Sequence, residues 1–295
     1  MSFLFKLLAM LPLRVLQLLG AGIGYLTFKF ASELRERTYE NLRQAGFTQP
    51  HFLDRLGRGA GRQSLESIWV WYRDPATVLS RVEVDPASEA LIDQVMDTGR
   101  PIIFMTPHVG CFEVLPVWFA NKYFEKTGRN ISILYRPPKN AILRKIVGEA
   151  RQSPGIEACP TTIVGVKRVI KNLRQGHTFG VLPDQVPSAG DGVWVPFFGK
   201  EAYTMILPVR LAKQVDAIRI FAWAKRESHG WTLHAKEWSD PLTGDLEQDA
   251  TMMNKEIEDI IRQMPEQYAW GYNRYKTPSG ARPVSYTHLT LPTIA

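Results

Sequence analysis

Cysteine is scarce in this sequence. Only Cys111 and Cys159 occur in 295 residues, too few for a disulfide framework or a cysteine-ligated zinc site. Free thiols favour a reducing compartment. The sequence also lacks a helix-turn-helix, zinc-finger or RNA-binding signature, although its formal net charge is +7 and its pI is about 9.4. The basic excess therefore favours phosphorylated lipid, a membrane surface or an acidic carrier protein as partner, and no nucleic acid.

A long uninterrupted hydrophobic run is missing as well. Residues 15–28 are uncharged, but they fall short of the ~20 residues that a spanning helix needs. Extension back to Leu7 reaches that length only by including Arg14. No small-residue cleavage site follows, so we do not interpret the segment as a signal peptide. We expect residues 1–30 to form an N-terminal membrane anchor helix that either spans the bilayer or lies on it, with a buried core helix as the alternative.

The flanks of this segment carry unequal positive charge. Lys29, Arg35 and Arg37 outnumber Lys6, so a spanning helix would leave the main body on the cytoplasmic side. The glycines in GAGIG, residues 20–24, follow no strand and are better explained by close helix packing than by dinucleotide binding.

Beyond residue 30, apolar strands alternate with amphipathic helices. Strands are predicted at 101–106, 131–136 and 178–183, helices at 112–126, 140–152, 166–176 and 247–263, and a hairpin at 217–238. This pattern predicts an α/β fold with a mixed, mostly parallel central sheet flanked by helices. We assign residues 31–283 to the main globular domain. Residues 284–295 carry no charge and are typical of a non-native tail, so we exclude them from the fold.

The stretch TPHVGCFE, residues 106–113, places a histidine and a glutamate directly after a predicted strand. In open α/β sheets, ligands bind at that end of a strand. With His108 in the turn and Glu113 in the following helix, the carboxylate can orient the imidazole and stabilise its protonated form. Such a pair suits proton removal from a substrate hydroxyl. The alternative is a hydrogen-bonded histidine at a strand end and a glutamate favoured by the helix dipole.

Other catalytic chemistries are less well supported. Cys111 lies inside the same stretch, but a single cysteine on an apolar helix is better explained by packing than as a nucleophile. His177, His229 and His234 show no spacing that would make them metal ligands together with His108, so we expect no metal.

Basic residues follow the strand at 131–136. Arg136 precedes two prolines and is expected to contact an anionic substrate, with a structural ion pair as the alternative. Lys139 and Asn140 are further candidate binding residues, although Asn140 equally suits a helix N-cap. More positive charge continues along the chain at Arg144, Lys145 and Arg151.

Two polar residues follow the strand at 178–183. Asp184 and Gln185 should open at the same edge of the sheet as His108, where they either shape the site or cap a turn. An oxyanion formed there would need donors, and the backbone N–H near Gly110 and the Arg136 guanidinium are the candidates.

These segments together resemble one protein family. HVGCFE resembles the histidine-x4-glutamate motif of the bacterial lipid A late acyltransferases, which belong to the lysophospholipid acyltransferase superfamily. Four further segments are similar to family blocks, in the expected order: YRPPKN (135–140), LPDQ (182–185), VPFFGKEAYT (195–204) and WGYNRYKTP (270–278). The family commonly has arginine in place of Asn273, so we give that position no functional weight.

The resemblance implies a glycerolipid-acyltransferase-like fold and transfer of an acyl group from acyl carrier protein. The implied acceptor is a hydroxyl of a 3-hydroxyacyl chain on the phosphorylated, Kdo-bearing lipid A precursor. His108 would be the general base, oriented by Glu113. Because the thioester already holds the activation energy, no cofactor is expected. The implied location is the inner membrane, with the catalytic domain facing the cytoplasm. The alternatives are a lysophospholipid or aminolipid acceptor, or a non-catalytic membrane-surface lipid-binding protein.

Overall fold

The computed structural model describes residues 2–49, 52–135 and 153–281. Its α-helices are α1 (Ser2–Ala9), α2 (Leu13–Phe30), α3 (Ser32–Gln44), α4 (Phe52–Tyr72), α5 (Pro75–Leu79), α6 (Pro86–Asp97), α7 (Val114–Phe119), α8 (Glu125–Thr127), α9 (Ile163–Arg174), α10 (Leu207–Val215) and α11 (Leu246–Gln263). Its strands are β1 (Val82–Val84), β2 (Ile102–Met105), β3 (Ile131–Tyr135), β4 (Ile156–Pro160), β5 (Thr178–Val181), β6 (Gly192–Phe197), β7 (Lys200–Met205), β8 (Ile218–Arg226) and β9 (Trp231–Glu237).

Seven of the described strands form the central sheet, in the order β1-β9-β8-β2-β5-β3-β4. The strands from β8 to β4 run parallel to one another, whereas β9 pairs antiparallel with β8 and parallel with β1. Strands β6 and β7 form a separate hairpin. The predicted α/β class with a mixed, mostly parallel sheet flanked by helices is therefore confirmed.

Helices cover both faces of this sheet, as parallel strands require. One core contains Ile103, Met105 and Phe221 and is covered by α9, α10 and α11. The other contains Ile102 and Phe104 and is covered by α6 and α7. Because successive residues of β2 alternate between the two cores, its continuous apolar sequence reflects burial on both sides.

Most predicted elements are present, including the β8–β9 hairpin. The sequence did not predict β1, β4, α10 or the β6–β7 hairpin, and α7 is joined to α8 by a π-helical turn, Ala120–Phe124, instead of continuing as a regular helix. The helix predicted at 140–152 lies outside the described residues.

The sequence predicted one helix over residues 1–30, and the number of helices in that prediction is wrong. Two helices, α1 and α2, occupy this segment, and Pro12 precedes α2 with φ −56° and ψ 140°. Proline lacks the N–H that would continue a helix through it, but it is tolerated directly before a new one.

The prediction that the GAGIG glycines pack a helix closely is confirmed. A methyl group on Gly20 would lie 2.6 Å from the Gly61 carbonyl oxygen of α4, and one on Gly24 would overlap the Gly57 carbonyl oxygen. Only glycine allows backbones to approach so closely. Among the described helices none is long and apolar enough to cross a membrane alone, while α2 and α3 meet the criterion only as a pair bent by 96°.

Candidate active site

His108 and Asp184 are aligned by the register of two neighbouring strands. Met105, the last residue of β2, is paired with Val181, the last residue of β5, and the Thr106 N–H continues the ladder to the Val181 carbonyl at 2.9 Å. His108 and Asp184 each follow three residues later. Because parallel strands advance in step, equal offsets bring the two side chains to one point on the carboxyl edge of the sheet.

The Asp184 carboxylate holds His108 through two contacts. Its Oδ1 lies 2.7 Å from the imidazole Nδ1, and its Oδ2 accepts the His108 backbone N–H at 2.9 Å. An ionised carboxylate can only accept, so Nδ1 carries the proton of the neutral imidazole and Nε2 carries the lone pair. The side-chain nitrogen of Gln185 lies 3.1 Å from Nε2 and donates to it. Both ring nitrogens are thus engaged, although 18% of the His108 side chain is exposed.

Asp184 is buried, with 2% of its side chain exposed. Burial raises the pKa of its carboxyl, but His108, through its charge when the imidazole is protonated and through its hydrogen bonds, together with the Arg274 guanidinium, outweighs burial and holds that pKa below its ordinary value. The carboxylate is therefore ionised at neutral pH. The hydroxyl of Tyr268 also bonds to it, and burial followed by the Asp184 charge raises the pKa of Tyr268 well above its usual range.

Arg274 is a site residue that the sequence reasoning missed. The side chain is buried, and its guanidinium donates to the Tyr203 carbonyl at 2.9 Å and to Thr204 Oγ1 at 2.7 Å. Burial lowers the pKa of Arg274, with the nearby Tyr268 and Asp184 opposing that effect. It lies beside Asn273, in the block that resembled the family. The signal that could have found it is a charged residue within an aromatic segment, since a buried charge needs a partner.

Three backbone N–H groups of the loop that carries His108 already have acceptors. The N–H of Val109 donates to the Pro107 carbonyl, that of Gly110 to the Gln267 carbonyl at 3.1 Å, and that of Cys111 to the Ala224 carbonyl at 3.1 Å. The Gly110 N–H therefore already has an acceptor, and its role as an oxyanion donor stays a prediction. Glycine is required there for another reason: φ is +57°, and a methyl group would overlap the Ala224 carbonyl oxygen.

An apolar cavity adjoins this loop on the α6–α7 side of the sheet. Its volume, including the mouth, is about 770 Å³. The walls come from six neighbouring strands and from α6 and α7, and they include Phe104, Phe112, Glu113, Leu115, Trp118, Phe119, Ile133, Gly180 and His234. The Phe112 ring also packs edge-to-face on the His108 imidazole, with 5.0 Å between centroids. Phe112 therefore contacts both the imidazole and the cavity.

Glu113 is buried in the cavity wall at the N-cap position of α7. The carboxylate that holds Nδ1 is that of Asp184, where the sequence reasoning expected Glu113. Whether Glu113 also orients His108 stays a prediction. Asp184 and Gln185 do open at the same edge of the sheet as His108, as predicted. Arg136, Lys139 and Asn140 lie outside the described residues.

A histidine–carboxylate pair beside an apolar cavity suits general-base chemistry on a substrate with an apolar chain, and comparison with known proteins agrees with acyl transfer. The family model for bacterial lipid A biosynthesis acyltransferases matches residues 1–277. The chain belongs to this family. It is therefore an acyltransferase.

Individual relatives extend over most of the chain. A lipid A biosynthesis acyltransferase of Haemophilus influenzae is 25% identical over 280 residues, covering 91% of this chain and 84% of the relative. The lipid A biosynthesis lauroyltransferase of Escherichia coli K12 is 26% identical over 297 residues, covering 95% and 91%. A phosphatidylinositol mannoside acyltransferase of Mycolicibacterium smegmatis is 25% identical over 156 residues, covering 51% and 49%.

Proposed function

We propose that this enzyme transfers an acyl chain from acyl carrier protein to a hydroxyl of a 3-hydroxyacyl chain on a phosphorylated, Kdo-bearing lipid A precursor. Residues 31–283 form its catalytic domain, and residues 1–30 associate with the inner membrane so that this domain faces the cytoplasm. The observation that carries the proposal is the Asp184-held imidazole of His108 beside the apolar cavity. The positive net charge supports both anionic substrates.

The proton acceptor in this mechanism is Nε2 of His108. The acceptor hydroxyl replaces Gln185 at this atom, gives up its proton, and its oxygen attacks the thioester carbonyl. The tetrahedral intermediate then collapses, the carbon–sulfur bond breaks, and the leaving thiolate takes the proton back from the imidazolium. Asp184 offsets the imidazolium charge throughout. Neither step needs a metal or a nucleotide, because the thioester supplies the driving force.

Gln185 is our candidate donor to the oxyanion. Its amide lies 3.1 Å from the atom that receives the proton, so the attacked carbonyl must lie close to it. The amide keeps two N–H donors once the substrate hydroxyl displaces it. Arg136, which follows β3, remains the second candidate, because a guanidinium donates strongly to a developing negative charge.

The cavity is proposed to hold the donor's acyl chain. Its lining is mostly apolar, as in most ligand pockets, and its walls reach from β1 to β3. These strands are five spacings apart, or about 24 Å. In this mechanism Glu113, in the cavity wall next to Phe112, also helps to orient His108.

Purified full-length enzyme should transfer acyl groups from acyl carrier protein to the lipid A precursor in mixed micelles. We expect His108→Ala to lower kcat by about 10²–10⁴-fold with an unchanged circular dichroism spectrum. His177→Gln is the matched control, because His177 precedes β5 at the opposite edge of the sheet from Asp184. Near-normal turnover by His108→Ala would contradict the mechanism.

The acceptor is tested separately. Mass spectrometry of lipid A from cells with and without the gene should show loss of one secondary acyl chain. The phosphatidylinositol mannoside relative favours including glycolipid and lysophospholipid acceptors in the purified assay. Unchanged lipid A together with transfer to one of those lipids would replace the proposed acceptor but keep the chemistry.

A further inference from the structure

The N-terminal helices leave a continuous apolar stripe uncovered. Large apolar side chains on one side of α2 are between 42% and 78% exposed, and those of α1 and the following turn extend the same surface. The stripe consists of Leu4, Leu7, Met10, Val15, Leu18, Leu19, Ile23, Leu26 and Phe30. In α2 these residues recur every three or four positions, the period of one helix face. Soluble proteins rarely leave such a surface uncovered.

The opposite side of α2 is fixed to the rest of the protein. Leu13, Leu16, Gly20, Gly24 and Phe28 are buried there. The contacts of Gly20 with Gly61 and of Gly24 with Gly57 show that α4 runs antiparallel alongside α2. Along its length, α2 therefore has one face on α4 and one face free.

This packing decides how a bilayer can meet the stripe. A helix bound along its side to α4 cannot enter the hydrocarbon without carrying α4 with it. Charged residues occur throughout α4, and Arg58 and Arg62 lie beside the middle of α2, with the Arg58 guanidinium 4.6 Å from the Tyr25 ring centroid. Charges at the centre of a bilayer are costly, so a spanning orientation of α2 is disfavoured.

Helix α2 is also tied to the catalytic edge of the sheet. Gln17 of α2 donates to Glu66 at 2.8 Å, and Glu66 forms a buried ion pair with Arg226 at the end of β8. Gln267 bonds both the N–H and the carbonyl of Arg226, and its own carbonyl accepts the Gly110 N–H. A chain of hydrogen bonds thus connects α2 to the loop that carries His108.

We propose that α1 and α2 lie in the plane of the membrane, with the stripe inserted at the interface of an anionic bilayer. Lys6, Arg14 and Lys29 flank the stripe, and residues 2–30 contain no acidic residue, so the charge complements anionic headgroups. The N-terminus then stays on the same side of the membrane as the catalytic domain, whereas a spanning anchor would place it on the other side. This inference concerns how the enzyme binds the membrane and does not depend on its acceptor.

Depth measurements test the orientation. A single cysteine at Val15, Ile23 or Phe30 would be labelled with an environment-sensitive fluorophore, since both native cysteines are buried. Quenching by spin-labelled lipids in phosphatidylethanolamine–phosphatidylglycerol vesicles should place all three probes at one shallow depth. These sites span about 22 Å along the helix, so a spanning helix would place Ile23 deepest and the ends shallow, which would overturn the proposal. Glu36→Cys on exposed α3 is the control and should stay in water.

One further outcome would identify another occupant, and a second would overturn the orientation. Probes that are already dehydrated without vesicles, in a protein that light scattering shows to be a dimer, would assign the stripe to a second copy of the chain. A protease site inserted before Met1 should be cut in sealed inverted membrane vesicles, where the cytoplasmic face is outside. Cleavage only after detergent addition would show a spanning N-terminus and overturn the in-plane orientation. Leu18→Glu combined with Ile23→Glu should lower vesicle binding more than tenfold.

Discussion

Asp184→Asn is the substitution that most directly tests the site. The carboxylate now accepts both the His108 backbone N–H and Nδ1–H, but asparagine offers one acceptor and one donor. If its oxygen keeps the backbone N–H, its amide faces Nδ1 and forces the proton onto Nε2, which then cannot act as a base. In the reverse orientation the oxygen accepts from Nδ1–H, and the side-chain amide faces the His108 backbone N–H. That buried N–H is then unpaired, at a cost of about 1–3 kcal/mol.

The two orientations of the asparagine side chain give an expected size for the loss of kcat/KM. A preference of 1–3 kcal/mol for the inactive orientation leaves the active tautomer at about one part in 5 to one part in 150. Loss of the charge that faces the imidazolium costs roughly a further 1.5–3 kcal/mol. Together they predict a fall in kcat/KM of about 10²–10⁴-fold, similar to that caused by the equivalent change in a serine protease triad.

The assay is steady-state transfer from labelled acyl carrier protein, accompanied by ¹⁵N NMR of the imidazole to read which nitrogen carries the proton. Asp191→Asn, in the same loop but exposed, is the matched control. Activity within threefold of wild type, or an unchanged Nδ1 proton in the Asp184→Asn variant, would refute the orienting role of Asp184. A Glu113→Gln variant measured in parallel separates the two carboxylates: a switched tautomer there would return that role to Glu113.

The lowered pKa of Asp184 also predicts a pH dependence of stability. A carboxyl with a depressed folded-state pKa stabilises the protein above its unfolded pKa, about 3.9, and loses that contribution as pH falls through the folded value. Asp184→Asn should therefore flatten the stability profile below about pH 4, measured by urea unfolding. Gly110→Ala should destabilise the fold by about 1–3 kcal/mol in the same measurement, because its methyl group would overlap the Ala224 carbonyl oxygen; an unchanged midpoint would contradict this. At Gly180, a methyl group would lie 3.3 Å from Ile131 Cδ1, so Gly180→Ala should be tolerated. Gly180→Leu should instead fill the cavity and shift donor preference to shorter acyl chains. Equal rates with all chain lengths in the Gly180→Leu variant would exclude this cavity as the acyl site. Burial raises the pKa of Cys159 to about 11, and it also raises the pKa of Cys111. Neither thiol should therefore react with a disulfide reagent at pH 7 until the protein is unfolded.

The sequence was informative wherever a signal was local. Apolar runs predicted β2 and β5, and glycines marked helix ends such as that before Gly176. The sequence also predicted that Asp184 and His108 lie at the same edge of the sheet, because each comes directly after a strand. The contact between the two side chains could not be predicted from the sequence. Strands β3 and β4 lie between β2 and β5 along the chain, and only the strand order of the sheet makes β2 and β5 neighbours.

The failures have the same physical origin. The sequence alone did not show that the backbone approaching Gly110 belongs to Ala224, more than one hundred residues later. The β6–β7 hairpin was missed because Phe198, with φ +48°, turns the chain with Gly199 inside an aromatic segment that showed no polar turn signal. Arg274 could not be placed without knowing that Asp184 lies nearby.

The equal three-residue offset of His108 and Asp184 makes chain length, as well as residue identity, a constraint on the active site. One residue inserted between Met105 and His108, or between Val181 and Asp184, would turn one partner away from the other even if every side chain were kept. The turn around Ser188–Asp191 lies outside the two three-residue segments and should accept added residues. Insertion scanning across the two segments should therefore show inactive but folded proteins confined to a few adjacent positions.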